Sequence, residues 1–461
     1  MKRNNEINMT EGNLFTKLIY VSIPLIFSGI LQLLYNAADL IVCGSFGGKD
    51  HSVAAISSTN PLINLIINLF LGLSVGANVL MARCFGQQNK EKGQRVVYTS
   101  MIFSLIFGVL VGIFGFFTSK YFLSLMNTPQ NILELSASYL KIYFIGLPFS
   151  MIYNFGASLL RAVGDSKRPF YFLAFAGVFN VILNLIFVIV CKLDVQGVAL
   201  ATIISQAISA ILVMICLIRN KGFFHFSFKE LKFYKKEAIE ILKIGLPAGI
   251  QGSIFSLSNV VIQSSINSLG ELVMDGNGAS SSLEGFVYVT MNSVANSSVA
   301  FISANYGINK KENIKKIVIY SCLIIIAMNI ITGCIVLGFQ NQLIHLYVQD
   351  DLAIKAAKQR LLIIVLTYFT CGIMDTFAYA LRGIGYSFTP MIVTLIGVCG
   401  IRILWIYTIF EIPQFHNISS VALSYPISWI ITSCIHISMF IVLFKKTFKN
   451  KQQSLYYETA N

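Results

Sequence analysis

Three carboxylates stand inside long apolar stretches of the sequence, where charged side chains are rare. They are Asp39, Glu284 and Asp375. An ionised side chain in the middle of a bilayer costs at least about 2.5–3.5 kcal/mol, so such a residue is a functional candidate by default. A carboxylate held away from water can exchange a proton for a cation, which predicts ion-coupling or substrate-binding roles. The alternatives are a hydrated position near a helix end for Asp39 and Glu284, and a structural hydrogen bond for Asp375.

Amide side chains recur at spacings that place them on common helix faces. Asn180 and Asn184 are four residues apart and share one face. Together with Asn154 and Asp39 they could form an oxygen-rich site for a cation such as Na+. The alternative is hydrogen bonding between helices, worth about 0.6–2 kcal/mol per bond in a membrane. A further polar stripe, expected to face a cleft or a neighbouring helix, consists of Asn60, Asn64 and Asn68.

Basic side chains are few inside the apolar stretches. Arg402 is the main candidate, and Lys141 is a second. We expect Arg402 to neutralise Asp375 or Glu284 in a structural pair, because a buried charge without a partner is expensive. The scarcity of basic residues argues against a lipid phosphate as cargo.

The elements that must position these residues are membrane helices. Of the 461 residues 56% are apolar and only 12% are charged, whereas soluble domains carry about 25% charged residues. The mean hydropathy is +0.72. Such a chain cannot hide its apolar surface in a water-soluble core, so the bilayer must be its solvent. The nine cysteines form no CxxC pair, and we predict neither a metal centre nor another cofactor.

Twelve apolar stretches are each long enough to cross the hydrocarbon core as a helix. We therefore predict an all-α integral membrane protein. An N-terminal six-helix half at 1–218 is followed by a basic cytoplasmic linker at 219–238, a C-terminal half at 239–445 and a cytoplasmic tail at 446–461. The predicted spans are 14–43, 53–81, 96–118, 134–161, 169–191, 196–218, 239–269, 280–304, 316–338, 356–381, 388–410 and 419–444.

The distribution of Lys and Arg predicts the orientation. With both termini in the cytoplasm, the inside segments contain 26 of the 34 basic residues, beginning with Lys2 and Arg3. This asymmetry explains the net charge of +14 without nucleic-acid binding, and it indicates a multi-pass protein of the plasma membrane. The Phe- and Lys-rich linker is expected to form an amphipathic helix on the inner leaflet.

The two halves repeat one another. The segment Leu160–Gly164 recurs as Leu381–Gly385 at an offset of 221 residues, and Pro24 recurs as Pro247 at an offset of 223. At the offset of 221, Asp375 corresponds to Asn154. Each half contains six predicted spans, so both halves enter the membrane in the same direction and form a parallel repeat. Two bundles related by a pseudo-twofold axis are expected to enclose a central cleft.

This architecture favours a transporter that works by alternating access. The sequence contains no HExxH motif and no Walker A motif, and we predict that the protein is not an enzyme. Transport would then use an ion gradient or the gradient of the substrate itself. We expect small-molecule substrates and membrane lipids as partners, no nucleic acid, and a monomer.

Several segments resemble the multidrug and toxic compound extrusion (MATE) family over about residues 12–445. They are LYNAADLIVCGSFGG in the first span, LLRAVGDSKRPF after the fourth, ANYGINKKENIKK after the eighth, ALRGIGYSFTP after the tenth and RILWIYTIF in the eleventh. The MepA-like and DinF-like bacterial branches are the most similar. The resemblance implies export of cationic lipophilic compounds in exchange for H+ or Na+.

The resemblance also implies roles for particular residues. Asp39 would belong to an ion site together with Asn154, Asn180 and Asn184, and Glu284 would take part in transport. One position departs from the family pattern: many relatives read Asn-x-x-Leu-Asp in the fifth span, where this chain has Asn at position 184. A second carboxylate is therefore missing there, which leaves the coupling ion open. The alternative function is a flippase or an exporter of a lipid-linked or specialised metabolite.

Overall fold

The computed structural model describes residues 6–46, 52–220, 223 and 225–459. Lys2, Arg3, Phe224 of the linker and the last two residues of the predicted tail lie outside the described residues. Within them the chain forms twelve long helices and no strand, which confirms the all-α prediction. The helices are α1 Leu14–Phe46, α2 Ser52–Gly86, α3 Lys90–Leu125, α4 Gln130–Ala162, α5 Lys167–Val190, α6 Asp194–Arg219, α7 Lys235–Asn267, α8 Glu271–Gly307, α9 Lys311–Gly338, α10 Asp351–Gly383, α11 Phe388–Thr408 and α12 Ile418–Thr459.

Eleven of the helices in the described part of the chain are long and apolar enough to cross a membrane. The exception is α8, which contains Glu271, Asp275, Glu284 and many serines and asparagines. Its 37 residues nevertheless form one continuous helix. A polar helix at membrane depth must turn its polar face toward protein or a water-filled space.

The helices extend beyond the predicted spans. The eighth span was expected at 280–304, but α8 runs from Glu271 to Gly307. The last helix, α12, continues to Thr459 and so includes most of the predicted tail at 446–461. Hydropathy marks only the part of a helix inside hydrocarbon, whereas backbone hydrogen bonds continue into the aqueous layer.

By its packing the chain divides into two compact units. Unit 1 comprises Met1–Ile7 and Phe27–Gly249, and unit 2 comprises Asn8–Ile26 and Ile250–Asn461. Two of the boundaries fall inside α1 and α7, close to Pro24 and Pro247, and the third falls between Ile7 and Asn8, before α1. Proline removes one backbone hydrogen bond from a helix, but α1 and α7 each continue as one helix through the proline.

The prediction of an amphipathic helix in the linker is wrong for the described residues. Between α6 and α7 the only helical turn that they form is Phe228–Glu230. Phe223 and Phe226 are buried, and Phe223 packs edge-to-face against Phe85 at 5.3 Å between ring centroids. The aromatic residues thus bind the linker to unit 1 itself, since burying a Phe side chain is worth about 1.5–3 kcal/mol.

Candidate functional site

The first cluster of polar side chains in the membrane helices surrounds Asp39 of α1. Asn184 of α5 donates a hydrogen bond from Nδ2 to Asp39 Oδ1 at 2.5 Å. The same Nδ2 lies 3.3 Å from Asn180 Oδ1, and Asn180 donates to Ser205 of α6 at 3.4 Å. The hydroxyl of Thr202 is also within hydrogen-bonding reach of Asp39. The structure therefore brings Asp39, Asn180 and Asn184 together, as the sequence predicts.

The packing of α1 on α5 positions this cluster. The ring of Tyr35, one turn before Asp39, lies against Gly177, where an added Cβ would be 1.7 Å from Tyr35 Cζ. Only glycine leaves room for the ring there. Immediately after Asn184, α5 changes to a π-helical turn at Ile186–Val190. Such turns are rare and frequently occur at functional sites.

The Asp39 cluster combines one carboxylate with neutral amide and hydroxyl groups. No salt bridge to Asp39 is formed within the described part of the chain, so its partners are neutral amides and hydroxyls. Asn184 is fully buried, and its Oδ1 accepts no hydrogen bond from any described residue. Carboxylate and amide oxygens are ligands that hard cations prefer. A proton on Asp39 or a bound cation would remove the uncompensated charge.

Two other amide predictions are not part of this cluster. Asn154 donates its described hydrogen bonds to Ser150 of its own helix, 2.9 Å from the backbone oxygen. The structure thus gives it no described hydrogen bond to Asp39. In the predicted stripe on α2, Asn60 and Asn64 are exposed and Asn68 is half-buried.

The second cluster is built on Glu284 in unit 2. Arg360 of α10 donates from Nε to Glu284 Oε1 and from Nη2 to Oε2, both at 2.9 Å. Ser280 donates to Oε1 at 2.7 Å. Both charged residues are 4% exposed. This two-point pair fixes the geometry of both side chains and neutralises the carboxylate.

Close packing of α8 and α10 brings the pair together. A Cβ added at Gly276 would lie 2.2 Å from the carbonyl oxygen of Ala353, so glycine lets the two backbones approach. Glu284 lies about two turns after Gly276, and Arg360 about two turns after Ala353. The partners therefore meet on facing surfaces of the two helices.

The prediction that Arg402 neutralises Glu284 or Asp375 is wrong, because no hydrogen bond or salt bridge joins Arg402 to either carboxylate among the described residues. Glu284 is already paired with Arg360, and Asp375 accepts a hydrogen bond from Asn292 at 3.2 Å. Arg402 is fully buried and donates from Nε to Ser428 at 3.0 Å.

Aromatic rings rather than carboxylates stabilise the Arg402 charge. Its guanidinium lies 4.0 Å from the ring centroid of Tyr425, 5.5 Å from that of Trp429 and 5.4 Å from that of Phe255. Cation–π contacts of this kind are worth about 2 kcal/mol when desolvated. The contacts could not be identified from the sequence, because Tyr425 and Trp429 lie on α12 and Phe255 lies on α7, whereas Arg402 lies on α11.

Basic residues buried in unit 2 are more numerous than expected. Besides Arg402 they include Arg360 and Arg382, 4% and 5% exposed. Arg382 donates to Gln251 at 2.7 Å. Arg360 was missed although it stands inside the predicted tenth span. The available signal was a basic residue at membrane depth opposite an acidic one, Glu284.

Twelve membrane helices arranged as two compact units define a class of membrane transporter. A solved structure described as the outward-facing conformation of a multidrug resistance MATE family transporter of the MOP superfamily has the same fold. Its TM-score is 0.90 at 21% identity, and the match covers 97% of this chain and 100% of that one. Likeness at this identity establishes the twelve-helix fold.

The particular family follows from the sequence match. The MatE family model matches residues 24–186 and again residues 247–408, so the chain belongs to the MatE family of multidrug efflux transporters. The two matches begin 223 residues apart, the offset that separates Pro24 from Pro247, and they confirm the internal repeat.

Two relatives illustrate the range of similarity. The chain is 27% identical over 392 residues to the probable multidrug resistance protein YoeA of Bacillus subtilis, covering 83% of this chain and 84% of the relative. It is 24% identical over 396 residues to the multidrug export protein MepA of Staphylococcus saprophyticus, covering 85% and 84%. Members of this family transport small molecules across a membrane in which they are embedded by many helices.

Proposed function

We propose that the protein is a secondary antiporter that exports cationic lipophilic compounds in exchange for H+ or Na+ by alternating access. The observation that carries the proposal is the Asp39 cluster. One half-buried carboxylate accepts a hydrogen bond from the neutral amide of Asn184, whose own Oδ1 accepts no hydrogen bond from a described residue. A site of this composition binds a cation and releases it when a competing positive charge arrives.

Exchange follows from the single charge of the site. The charge of Asp39 can be neutralised by a proton, by Na+ or by a nearby cationic substrate. If two of these cations were bound at once, the site would carry a net positive charge, which is costly at low dielectric. Each cation therefore weakens the binding of the other. This mutual exclusion is the thermodynamic requirement for antiport.

Glu284 has a different role in this proposal from the one its position in the sequence suggests. Arg360 already satisfies both of its carboxylate oxygens. A cationic substrate would have to displace Arg360 to reach Glu284. We therefore assign the pair to holding α8 against α10 and place the coupling function at Asp39.

The proposed setting is the plasma membrane, with both termini in the cytoplasm and a monomer as the working unit. The support is the clustering of 26 of the 34 basic residues in the segments assigned to the inside. Under this orientation the connection between α5 and α6 lies outside the cell.

A second candidate function is export of an anionic or lipid-linked metabolite. Three buried arginines in unit 2, Arg360, Arg382 and Arg402, favour it, because only Arg360 has a carboxylate bonded to it among the described residues. Buried guanidinium groups are suited to carboxylate or phosphate ligands.

The decisive experiment measures efflux in energised everted vesicles under separate proton and sodium gradients. Ethidium serves as the cationic probe and carboxyfluorescein as the anionic probe. We expect gradient-driven ethidium transport that disappears in Asp39→Asn and persists in the control Asp275→Asn, which makes the same change at an exposed residue of α8. Transport of carboxyfluorescein alone would reject the proposal in favour of the second candidate.

A further inference from the structure

Unit 1 contains a second carboxylate, Asp194, which is buried at the first residue of α6. Asp194 is 7% exposed. Its Oδ2 accepts a hydrogen bond from Ser52 of α2 at 2.8 Å, and its Oδ1 lies 3.8 Å from Cys43 Sγ of α1. Three helices thus converge on one carboxylate.

Asp194 lies beside the α1 face that carries Asp39. Cys43 follows Asp39 by four residues, so the two share a face of α1 and are separated by about 6 Å along the helix axis. The Cys43 thiol contacts Asp194 Oδ1, and Cys43 stands one helical turn after Asp39. Cys43 therefore connects the two carboxylates along α1.

The backbone that carries Asp194 is strained. Asp194 has φ of 49° and Lys192 has φ of 53°, so two residues other than glycine adopt the left-handed conformation within three positions. Such conformations cost free energy and cluster where the placement of a side chain matters. Here the turn between α5 and α6 directs the carboxylate inward, toward Cys43 and Ser52.

An independent observation indicates that this region receives a cation. Asn184 is fully buried, donates to Asp39, and its Oδ1 has no donor among the described residues. The interior next to Asp39 thus contains an acceptor oxygen without a described donor. A positively charged ligand or a protonated group would supply what the oxygens lack.

The other titratable groups near the two carboxylates carry no positive charge. On α4, Tyr139 faces both Asp39 and Cys43, with Tyr143 beside it. On α1 the group is Cys43, and the described contact on α2 is the Ser52 hydroxyl. Lys192 in the preceding turn is exposed.

We propose that Asp194 is a second cation-binding carboxylate of the Asp39 site, through which the coupling cation passes between the α5–α6 turn and Asp39. It supplies from α6 the second acid that position 184 lacks. The inference rests on the proposed antiport function and adds a residue and a path to it. Asp194 is thus a binding residue for the cation and does not contact the exported compound.

The test compares cation dependence in purified protein reconstituted into liposomes. Asp194→Asn keeps the size of the side chain and an acceptor for Ser52, but it removes the charge. We expect the half-saturating concentration of the driving cation to rise at least tenfold, with ethidium half-saturation within twofold of wild type. The double variant Asp194→Asn with Asn184→Asp again has a second carboxylate next to Asp39. We expect this double variant to recover most of the cation affinity.

A purely structural role for Asp194 predicts a different pattern. Ser52→Ala removes the 2.8 Å hydrogen bond and leaves the carboxylate. The inference would be overturned if Ser52→Ala raised the half-saturating cation concentration as much as Asp194→Asn did. It would also be overturned if Asp194→Asn kept the half-saturating cation concentration of wild type. Should Asp194→Asn not fold, Asp194→Glu, which moves the charge by one methylene, must shift the half-saturation by at least threefold; an unchanged value overturns the inference.

The outcome at Asp39 separates this inference from the proposed function. If Asp39→Asn abolishes gradient-driven efflux while Asp194→Asn leaves the cation dependence unchanged, the inference fails and the antiport proposal stands. If Asp39→Asn transports ethidium like wild type, the antiport proposal itself fails.

Discussion

The two units place carboxylates of their helices in opposite electrostatic surroundings. In unit 1, Asp39 is held by amides and hydroxyls and forms no described salt bridge. In unit 2, Glu284 is bound at both oxygens by Arg360. Two halves that share one repeat thus use the same kind of residue in two ways.

The difference indicates which charge is available for transport. A carboxylate paired with arginine in a buried bidentate contact is already neutralised, and removing one partner costs several kcal/mol. A carboxylate among neutral donors has no such competitor and can bind an exchangeable cation. Burial alone therefore does not identify a coupling residue; the partners of the buried charge do.

The largest effect on stability is expected from breaking the unit 2 pair. Arg360→Ala leaves Glu284 buried without its partner and should lower the free energy of unfolding by about 3–5 kcal/mol. Thermal unfolding in detergent measures the loss. The double variant Arg360→Ala with Glu284→Gln should recover most of it, because no charge is then stranded. If Arg360→Ala alone were as stable as wild type, Arg360 would not stabilise Glu284, and the two units would not differ in this respect.

The largest effect on transport is expected at Asp39. Asp39→Asn should reduce gradient-driven efflux about 100-fold, equivalent to about 2.7 kcal/mol, while the unfolding free energy changes by less than about 1 kcal/mol. The stability change is small because the variant removes a half-buried charge that has no ionic partner among the described residues. Efflux in everted vesicles and thermal unfolding are measured on the same preparation. If Asp39→Asn lost as much stability as Arg360→Ala, both carboxylates would have structural roles.

A smaller effect is expected where α1 packs on α5. Gly177→Ala puts a methyl group into the ring of Tyr35 and should destabilise the protein by about 1–3 kcal/mol through overpacking. Efflux should fall with it, since the contact positions Asp39 next to Asn184. The matched control is Gly278→Ala in α8, where a Cβ meets nothing within 4 Å. That change should be neutral or stabilising by up to about 1 kcal/mol, because alanine favours helix.

The smallest effect is expected at Asn154. Because the described hydrogen bonds of Asn154 go to Ser150 of the same helix, Asn154→Ala should change stability by less than about 1 kcal/mol and efflux by less than twofold. The parallel variant Asn180→Ala should raise the cation concentration needed for half-maximal efflux, since Asn180 contacts Asn184. If Asn154→Ala proved as damaging as Asp39→Asn, the unit 1 site would be larger than its described hydrogen bonds indicate.

Much of the site was predictable at the level of single helices. Asn180 and Asn184 share a face because they are four residues apart, and their proximity to Asp39 followed from the family resemblance. Arg360 and Asp194 were not identified. Arg360 is 76 positions from Glu284, and Asp194 is 142 positions from Ser52. Spacing along one helix carries no information about partners on another.

The sequence by itself determined the helices and the repeat. Apolar length fixes a membrane helix because the backbone must satisfy its hydrogen bonds within the segment, and the recurrence of Pro24 as Pro247 is visible without coordinates. Only the tertiary structure decided which buried charges have partners. Glycine at 177 and at 276 permits helix approaches that put Asp39 among amides and Glu284 against Arg360. The free energy of a buried charge depends on its neighbours in space, and those neighbours come from distant parts of the chain.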